Sequence, residues 1–398
     1  MSVVLLTGGT GLIGGAVLHD ALNRPGDDRW IALVRGSNVE QARARLLARM
    51  QRFCPPDEAA RLLARVEIVP GDFTQLTMDA HPALADVTHV LHLAADTSWW
   101  GDEKVTRTNL HGTLAFASRV SRLPRLERFL HVSTAMICGA DSDPYVREED
   151  FPSADARHLV SYSRSKSAAE VALLRGLPDL PLVIARPSIV VGHSTLGARP
   201  SSSILWVFMA GDRLRLIGCD LAGSIDVVPS DWTASTLIEL LHRPALAHQT
   251  YHLSAGLPGR SDWSELGRVF EREDPAGGKR DYRRLLPGER AVLRQRFRDT
   301  FGLDTPQKVA MMRAIQAYFQ FCELSLTFSN ERLLAEGFAP PPRFADYLPR
   351  CIDPEADVVS LFADDAEMFC SGLQVVRGSR RRLPERARSP LASSAAGA

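Results

Sequence analysis

Short apolar runs recur along the chain, and longer amphipathic segments separate them. The runs lie at residues 3–6, 29–35, 66–72, 88–95, 128–135 and 181–188. Runs of this length that alternate with helix-length segments are typical of buried strands joined by crossover helices. The pattern predicts an α/β protein with a doubly wound parallel sheet, which helices cover on both faces.

Helical patterns are expected at residues 12–23, 38–65 and 104–121, and again from Ser161, a plausible helix cap. The alternation breaks down after Gly192, and residues 280–328 are strongly helical in pattern. We therefore expect a sheet domain at 1–192, to which some later segments return, and a smaller, mostly helical portion at 193–370. The Arg-, Pro-, Ser- and Ala-rich residues 371–398 are expected to be disordered.

Glycines stand at positions 8, 9, 11 and 14, directly after the first apolar run. A strand, a glycine-rich turn and a helix N-terminus form a site for a dinucleotide pyrophosphate, because backbone N–H groups and the helix dipole favour the anion. Any tight strand-to-helix turn can use glycine, so this motif alone is weak. Arg35 ends the second run, where arginine suits the 2′-phosphate of NADPH; otherwise it is a surface arginine closing a strand.

Charge and composition narrow the function further. The chain has 47 basic and 47 acidic residues, which gives no support for a nucleic-acid partner. Six widely separated cysteines without a Cys-x-x-Cys pair argue against a metal site or a disulfide framework and fit a reducing compartment. Without a charged leader or an 18-residue apolar run, we expect a cytoplasmic protein with no stable membrane insertion.

Residues 279–298 contain eight basic side chains against Asp281 and Glu289. Such a run is usually a solvated helix face. The alternative is a docking surface for an anionic partner, either a coenzyme phosphate or an acidic carrier protein.

Tyr162 and Lys166 are four residues apart on one predicted helix face. Reduction of a carbonyl needs a proton donor at the oxygen, and a nearby ammonium should lower the pKa of a tyrosine that serves in this way. A hydroxyl at the end of the fifth run could hold the same oxygen; Thr134 is the first choice and Ser133 the second. A chance contact on a helix surface is the other interpretation of the Tyr-x-x-x-Lys pair.

Together these motifs resemble an extended short-chain dehydrogenase/reductase. More narrowly, Leu33 to Arg35, Gly71 to Thr74 and Arg186 to Gly192 are similar to the thioester-reductase and fatty-acyl-CoA-reductase branch, also called the male sterility branch. The resemblance is dense over residues 3–255 and thin after about 260. Cys138 departs from the pattern, because many extended members have an aromatic residue before the glycine at this point.

The resemblance implies a Rossmann fold, NADPH as cofactor, and a catalytic set of Tyr162, Lys166, Thr134, Ser133 and Asn109. Lys166 also belongs to the expected cofactor contacts, the others being Gly8, Thr10, Gly11, Leu12, Ile13, Gly14, Arg35, Ser37, Asp72, Phe73, Ala94, Ala95, Pro187 and Ser188. No metal is expected.

The narrower resemblance implies reduction of an acyl thioester on coenzyme A or on a carrier protein to an aldehyde, with an alcohol as a further product. The main alternative is an extended reductase or dehydrogenase acting on a ketone or hydroxyl of a steroid-, terpenoid- or flavonoid-like molecule. An epimerase fits Arg35 less well, and a non-catalytic NADPH-binding protein would not need Tyr162 and Lys166. Extended reductases often pair beside the catalytic helix, so a homodimer is one expectation, although the sequence does not fix the oligomeric state.

Overall fold

The computed structural model describes residues 1–76, 81–153, 155–201, 203–275 and 277–363. Its principal sheet has seven strands, all paired in parallel. These strands are β1 (Val3–Thr7), β2 (Arg29–Val34), β3 (Val66–Pro70), β4 (His89–His92), β5 (Arg128–Val132), β7 (Leu182–Pro187) and β12 (Thr250–Leu253). The predicted parallel sheet is confirmed.

Short strands pair outside this sheet in four two-stranded units, in the order β10–β13, β11–β8, β14–β9 and β15–β6. They are β6 (Tyr145–Val146), β8 (Ile189–Val190), β9 (Leu216–Ile217), β10 (Ser224–Ile225), β11 (Val227–Val228), β13 (Ser261–Asp262), β14 (Arg283–Arg284) and β15 (Thr327–Phe328).

The helices are α1 (Leu12–Asn23), α2 (Val39–Met50), α3 (Pro56–Leu63), α4 (Asp102–Thr106), α5 (Thr113–Val120), α6 (Ser161–Gly176), α7 (Leu205–Leu214), α8 (Ser230–His242), α9 (Gly256–Gly259), α10 (Trp263–Glu273), α11 (Arg290–Phe301), α12 (Pro306–Glu323), α13 (Glu331–Ala335) and α14 (Phe344–Cys351). Single 3-10 turns lie at Pro82–Asp86 and Ala135–Cys138, and a π-helical segment lies at Arg107–Gly112.

The strand order β3-β2-β1-β4-β5-β7-β12 reverses its direction of growth between β1 and β4. In open parallel sheets the ligand crevice lies beyond the carboxyl ends of the strands at this reversal. The first turn of the chain follows β1 and therefore lies at the crevice.

Apolar side chains cover the sheet on both faces. On one face, Val17 and Leu18 of α1 and Leu237 and Leu241 of α8 pack in one core with alternate side chains of the strands. On the other, residues of α5 and α6 such as Phe116 and Leu173 pack in a second core. α8 and β12 come from beyond residue 192, so part of the C-terminal half packs on or joins the sheet.

A separate core holds the C-terminal portion together. It joins α7, α10, α11, α12 and α14 through buried residues such as Trp206, Trp263, Phe297, Ile315 and Phe344. The strongly helical segment expected over about 280–328 contains two helices, of which α11 begins at Arg290 and α12 ends at Glu323. Arg283 and Arg284 instead pair as a short strand with β9.

The helix expected over residues 104–121 is present as one continuous run from Asp102 to Val120, made of α4, the π-helical segment and α5. One further expectation needs correction. Ser161 does not cap α6: Val160 is the residue at the cap, and the Ser161 hydroxyl donates to the Asp102 carboxylate. The predicted tail at 371–398 lies outside the described residues. Across the part that is described, no helix combines the length and apolar character of a membrane span.

Candidate active site

The turn between β1 and α1 is shaped by glycine. Gly8 adopts φ +78°, and a Cβ there would lie 2.7 Å from the Ala94 backbone nitrogen. A Cβ on Gly14 would overlap the Gly8 carbonyl oxygen. Gly11 precedes α1 without a side-chain cap, so the first N–H groups of the helix point outward without a capping partner. This geometry can hold a pyrophosphate.

The segment after β4 is tied to the same turn. The Ala94 N–H donates to the Thr7 hydroxyl at 3.1 Å, and that hydroxyl is 2.8 Å from Nδ1 of His92. Ala94 and Ala95 are partly buried. The small side chains therefore follow β4 where its backbone comes close to Gly8.

Arg35 and Ser37 follow β2 at the edge of the crevice. Arg35 is exposed, and its carbonyl accepts a 2.7 Å hydrogen bond from Arg45 on α2. The Ser37 N–H donates to Gln41. The Arg45 guanidinium therefore lies against the backbone of Arg35. An arginine at the end of β2 suits a phosphate.

Asp72 and Phe73 follow β3. One carboxylate oxygen of Asp72 accepts from the backbone and the hydroxyl of Thr74, at 2.9 and 2.8 Å. The Phe73 ring is buried, and its edge contacts the rings of His92 and Phe116. Asp72 is thus placed at the strand end, whereas Phe73 lies largely in the core beneath it.

Tyr162 and Lys166 lie in the first turns of α6. Lys166 is 1% exposed, and its ammonium donates to the Val132 carbonyl at 2.7 Å and lies 3.4 Å from Nε2 of His131. Both contacts are with the end of β5. Helix α6 is therefore fixed against the strand that the predicted hydroxyls follow.

The pKa values of this pair differ from the expectation. Burial raises the pKa of Tyr162 to about 12, and burial lowers the pKa of Lys166 to about 8, with Glu170 acting in the opposite direction. The pKa of Tyr162 is therefore raised by burial rather than lowered by Lys166, whose hydrogen bonds go to β5. Tyr162 is protonated at neutral pH, and Lys166 is the member of the pair whose pKa lies near neutral pH.

Ser133 and Thr134 follow β5 directly, and both are buried. The Thr134 hydroxyl accepts a 3.3 Å hydrogen bond from the Met136 N–H and so begins the 3-10 turn there. The Ser133 hydroxyl has no hydrogen-bond partner among the described residues. Either hydroxyl can bind an oxygen at the strand end.

Asn109 lies in the π-helical segment, and both the oxygen and the nitrogen of its side-chain amide form hydrogen bonds. Its oxygen accepts from the Asp96 N–H at 2.7 Å, and its nitrogen donates to the Asp96 carbonyl and to the Ser165 hydroxyl. Ser165 in turn donates to the Tyr162 carbonyl. Asn109 therefore joins the segment after β4 to α6, which makes it a positioning residue in this arrangement.

Pro187 and Ser188 lie at the end of β7, and both are buried. The Ser188 N–H donates to the Leu253 carbonyl. Burial raises the pKa of the neighbouring Asp226 carboxyl to about 6, and the Ser188 hydroxyl acts in the opposite direction.

Cys138, the departure from the family pattern, is 7% exposed, and burial raises the pKa of its thiol. The thiol is therefore in its neutral form at neutral pH.

Three residues near the site were missed from the sequence. Arg49 donates to the Thr10 carbonyl at 2.8 Å and to the Pro200 carbonyl at 3.1 Å, so it bridges the turn to a later segment. Arg45 contacts Arg35, and His131 contacts Lys166. The spacing of Arg45 and Arg49, four residues apart on one helix face, was a usable signal. For His131, the one signal in the sequence is its position on β5, where successive side chains point to opposite faces of the sheet.

The model of the family described as male sterility protein matches residues 6–237, which is more than half of the chain. The chain belongs to the male sterility protein family. The predicted branch and the Rossmann-type fold are confirmed, and the matched region contains both the glycine-rich turn and α6.

Several relatives of this male sterility family member are peptide synthetases. The chain is 28% identical over 278 residues to a subunit of linear gramicidin synthase from Brevibacillus parabrevis, covering 67% of the chain and 5% of the relative. It is 25% identical over 297 residues to a putative fatty acyl-CoA reductase of Drosophila melanogaster, covering 62% and 54% respectively. The chain thus spans only a part of these relatives.

Solved structures show the same fold. The terminal R domain of the myxalamid PKS-NRPS pathway has a TM-score of 0.70 at 20% identity, over 88% of this chain and 89% of that one. A thiolation-reductase di-domain from an archaeal non-ribosomal peptide synthetase has a TM-score of 0.63 at 19% identity, over 89% and 75%. NAD is bound in a UDP-glucuronic acid 4-epimerase of Bacillus cereus with a TM-score of 0.60, at 16% identity over 92% and 99%.

Proposed function

We propose that the protein is an NADPH-dependent reductase that converts an acyl thioester to an aldehyde. The observation that carries this proposal is the contact of Lys166 with the Val132 carbonyl, because it places α6 at the strand end that bears Ser133 and Thr134. Tyr162 lies one helical turn away on the same helix. A proton donor and two hydroxyls thus gather at the crevice edge where the glycine-rich turn also lies.

NADPH, when bound, supplies the hydride that adds to the thioester carbonyl carbon. Tyr162 and a hydroxyl of Thr134 or Ser133 stabilise the charge that develops on the oxygen. Tyr162 is protonated up to high pH, so it can give its proton to that oxygen. The resulting hemithioacetal breaks its carbon–sulfur bond and releases an aldehyde and a thiol. A second hydride would take the aldehyde to an alcohol.

The preference for NADPH over NADH rests on the end of β2. Arg35 is exposed there, and Arg45 donates to its carbonyl from α2. A 2′-phosphate beside the Arg35 guanidinium gains charge-assisted hydrogen bonds that a 2′-hydroxyl does not. The turn itself recognises only the pyrophosphate, which both cofactors share.

A carrier-bound substrate is supported by the peptide synthetase relatives and by α11. Arg280, Arg283 and Arg284 of the basic segment pair with carboxylates, among them Asp274, Glu289 and Asp220. Exposed arginines without an acidic partner at ion-pair distance in the described chain remain along α11. Arg290, Arg294 and Arg298 share one face of the helix, and Arg296 lies on another side. This face suits an acidic carrier protein. A homodimer and a cytoplasmic location stay predictions.

A substrate panel tests the proposal. Purified protein and NADPH are incubated separately with acyl-CoAs, carrier-loaded acyl groups, aldehydes and ketones, and NADPH oxidation is followed. We expect oxidation with the thioesters and formation of the matching aldehyde or alcohol. Oxidation with ketones only would overturn the thioester assignment in favour of a ketone reductase.

A further inference from the structure

His131 is a buried histidine in contact with the catalytic lysine. It lies on β5, is fully buried, and places Nε2 3.4 Å from the Lys166 ammonium. Its ring stacks on that of His92, with centroids 5.6 Å apart. The family motifs described above do not include this residue.

The chemistry of the two groups fixes the direction of their hydrogen bond. An ammonium has three donors and no acceptor, so a nitrogen that bonds it must present a lone pair. Nε2 of His131 is then unprotonated, and the ring proton sits on Nδ1. Nδ1 has no partner among the described residues. The imidazole stays neutral, because burial and the nearby Lys166 keep the pKa of His131 well below its usual value.

We propose that His131 is a positioning residue that accepts a hydrogen bond from Lys166 through Nε2 and helps to keep this lysine protonated where Tyr162 acts. A hydrogen bond to the charged form of a base raises its pKa. Two donors of Lys166 are thereby directed to β5, one to Val132 and one to His131. A third donor remains on the ammonium. The catalytic part of this inference rests on the proposed function.

Other ionisable groups surround the lysine, and their effects are distinct. His92 on β4 is held neutral by burial, which lowers its pKa to about 3, and it bonds Thr7 and Thr113. Glu170 lies one turn further along α6 and favours the charged lysine, but it is paired with the buried Arg186 of β7. Tyr162 on α6 is neutral below about pH 12. Among these side chains, His131 is therefore the neutral one that accepts a hydrogen bond from Lys166.

The pH dependence of turnover tests the inference. Activity of the wild type should fall as pH rises through about 8, because Lys166 then loses its charge. His131→Leu removes the acceptor and should move this fall to lower pH by about one unit, so that turnover at high pH drops about tenfold further than at neutral pH. His131→Gln keeps an acceptor and should stay close to the wild type.

The matched control is His89→Gln on β4, where the histidine bonds Thr88 and lies at the opposite end of the sheet. It should leave the pH profile unchanged. Equal shifts in His131→Leu and His131→Gln, or no shift in folded His131→Leu, would overturn the inference. The profile is recorded with whichever substrate of the panel the protein reduces.

A second measurement needs neither a substrate nor a folded His131 variant. Nitrogen NMR of histidine-labelled wild-type protein should show His131 with its proton on Nδ1, and Lys166→Met should shift the Nε2 signal. A proton on Nε2 in the wild type would place two donors face to face and would contradict the proposal. Because no substrate is present, this outcome is independent of whether the protein reduces thioesters.

Discussion

The glycine-rich turn and helix α11 offer positive potential to a ligand in two different ways. The turn does so with backbone N–H groups whose positions are set by Gly8 and Gly14, where a side chain would collide with backbone. Helix α11 does so with long arginine side chains that are exposed to solvent. The backbone site is preorganised, whereas the arginine face must order its side chains when a partner binds.

This difference has a consequence for function. A preorganised site at the sheet crevice suits a ligand whose reacting atom must be placed accurately, as a nicotinamide must be. A flexible charged face suits a partner that is steered and held loosely, because exposed ion pairs contribute little and are screened by salt. Changes at the crevice should therefore have large effects on catalysis, and changes on α11 small effects on recognition.

The largest effect is expected for Tyr162→Phe. The variant loses the proton donor at the carbonyl oxygen, so turnover should fall on the order of a thousandfold. NADPH binding should stay near normal, as measured by fluorescence titration. The control is Tyr145→Phe, which removes a hydroxyl that bonds Glu331. Retained turnover in Tyr162→Phe would contradict the mechanism.

Gly14→Ala comes next. The added methyl group meets Gly8 and Gly9 backbone atoms, so the turn must shift and the dissociation constant for NADPH should rise at least about tenfold. Gly259→Ala is the control, since its methyl group would make only an ordinary contact with Ala255. Unchanged NADPH binding by a folded Gly14→Ala variant would show that the turn does not hold the pyrophosphate.

Arg35→Ala should raise the Michaelis constant for NADPH by about tenfold or somewhat more, which is the loss of one hydrogen bond to a charged group. The constant for NADH should hardly change, because NADH lacks the 2′-phosphate. Arg61→Ala, a change at an exposed arginine of α3, is the control. Equal changes in the Michaelis constants for NADPH and NADH would show that Arg35 does not bind the 2′-phosphate.

The smallest effect is expected on α11. Reversing charge at Arg294 and Arg298 should raise the Michaelis constant for a carrier-bound thioester about three- to tenfold, and more weakly at high salt. The same variant should treat a small pantetheine thioester like the wild type. Reversal at Arg52 and Arg61, which are exposed elsewhere, is the control. An unchanged Michaelis constant for the carrier-bound thioester would show that α11 is only a solvated helix surface.

The same two regions show what a sequence can reveal. The turn is local: strand, glycines and helix follow one another within residues 3–23, and the backbone alone determines the shape. The basic segment is not local. Three of its arginines pair with Asp212, Asp220, Asp274 and Glu289, and two of these carboxylates, Asp212 and Asp220, are distant in the chain. Counting charges along residues 279–298 therefore overstated the free positive charge.

The candidate catalytic site is intermediate between the glycine-rich turn and the basic segment in how much of it the sequence predicts. Strand ends and a four-residue spacing were enough to place Tyr162, Lys166 and the β5 hydroxyls at one edge. The hydrogen-bond partners of the Lys166 ammonium were not predictable, because they depend on which groups of β5 face α6. That packing determines the contact of Lys166 with His131, whereas burial raises the pKa of Tyr162.

The most direct test of thioester reduction is to count products against cofactor. Purified protein is given NADPH and an acyl-pantetheine thioester, and free thiol is titrated while NADPH oxidation is recorded. We predict one thiol released for each NADPH consumed if the product is an aldehyde, or one for every two if it is an alcohol. NADPH oxidation without thiol release, or no oxidation with any thioester while a ketone is reduced, would contradict the account.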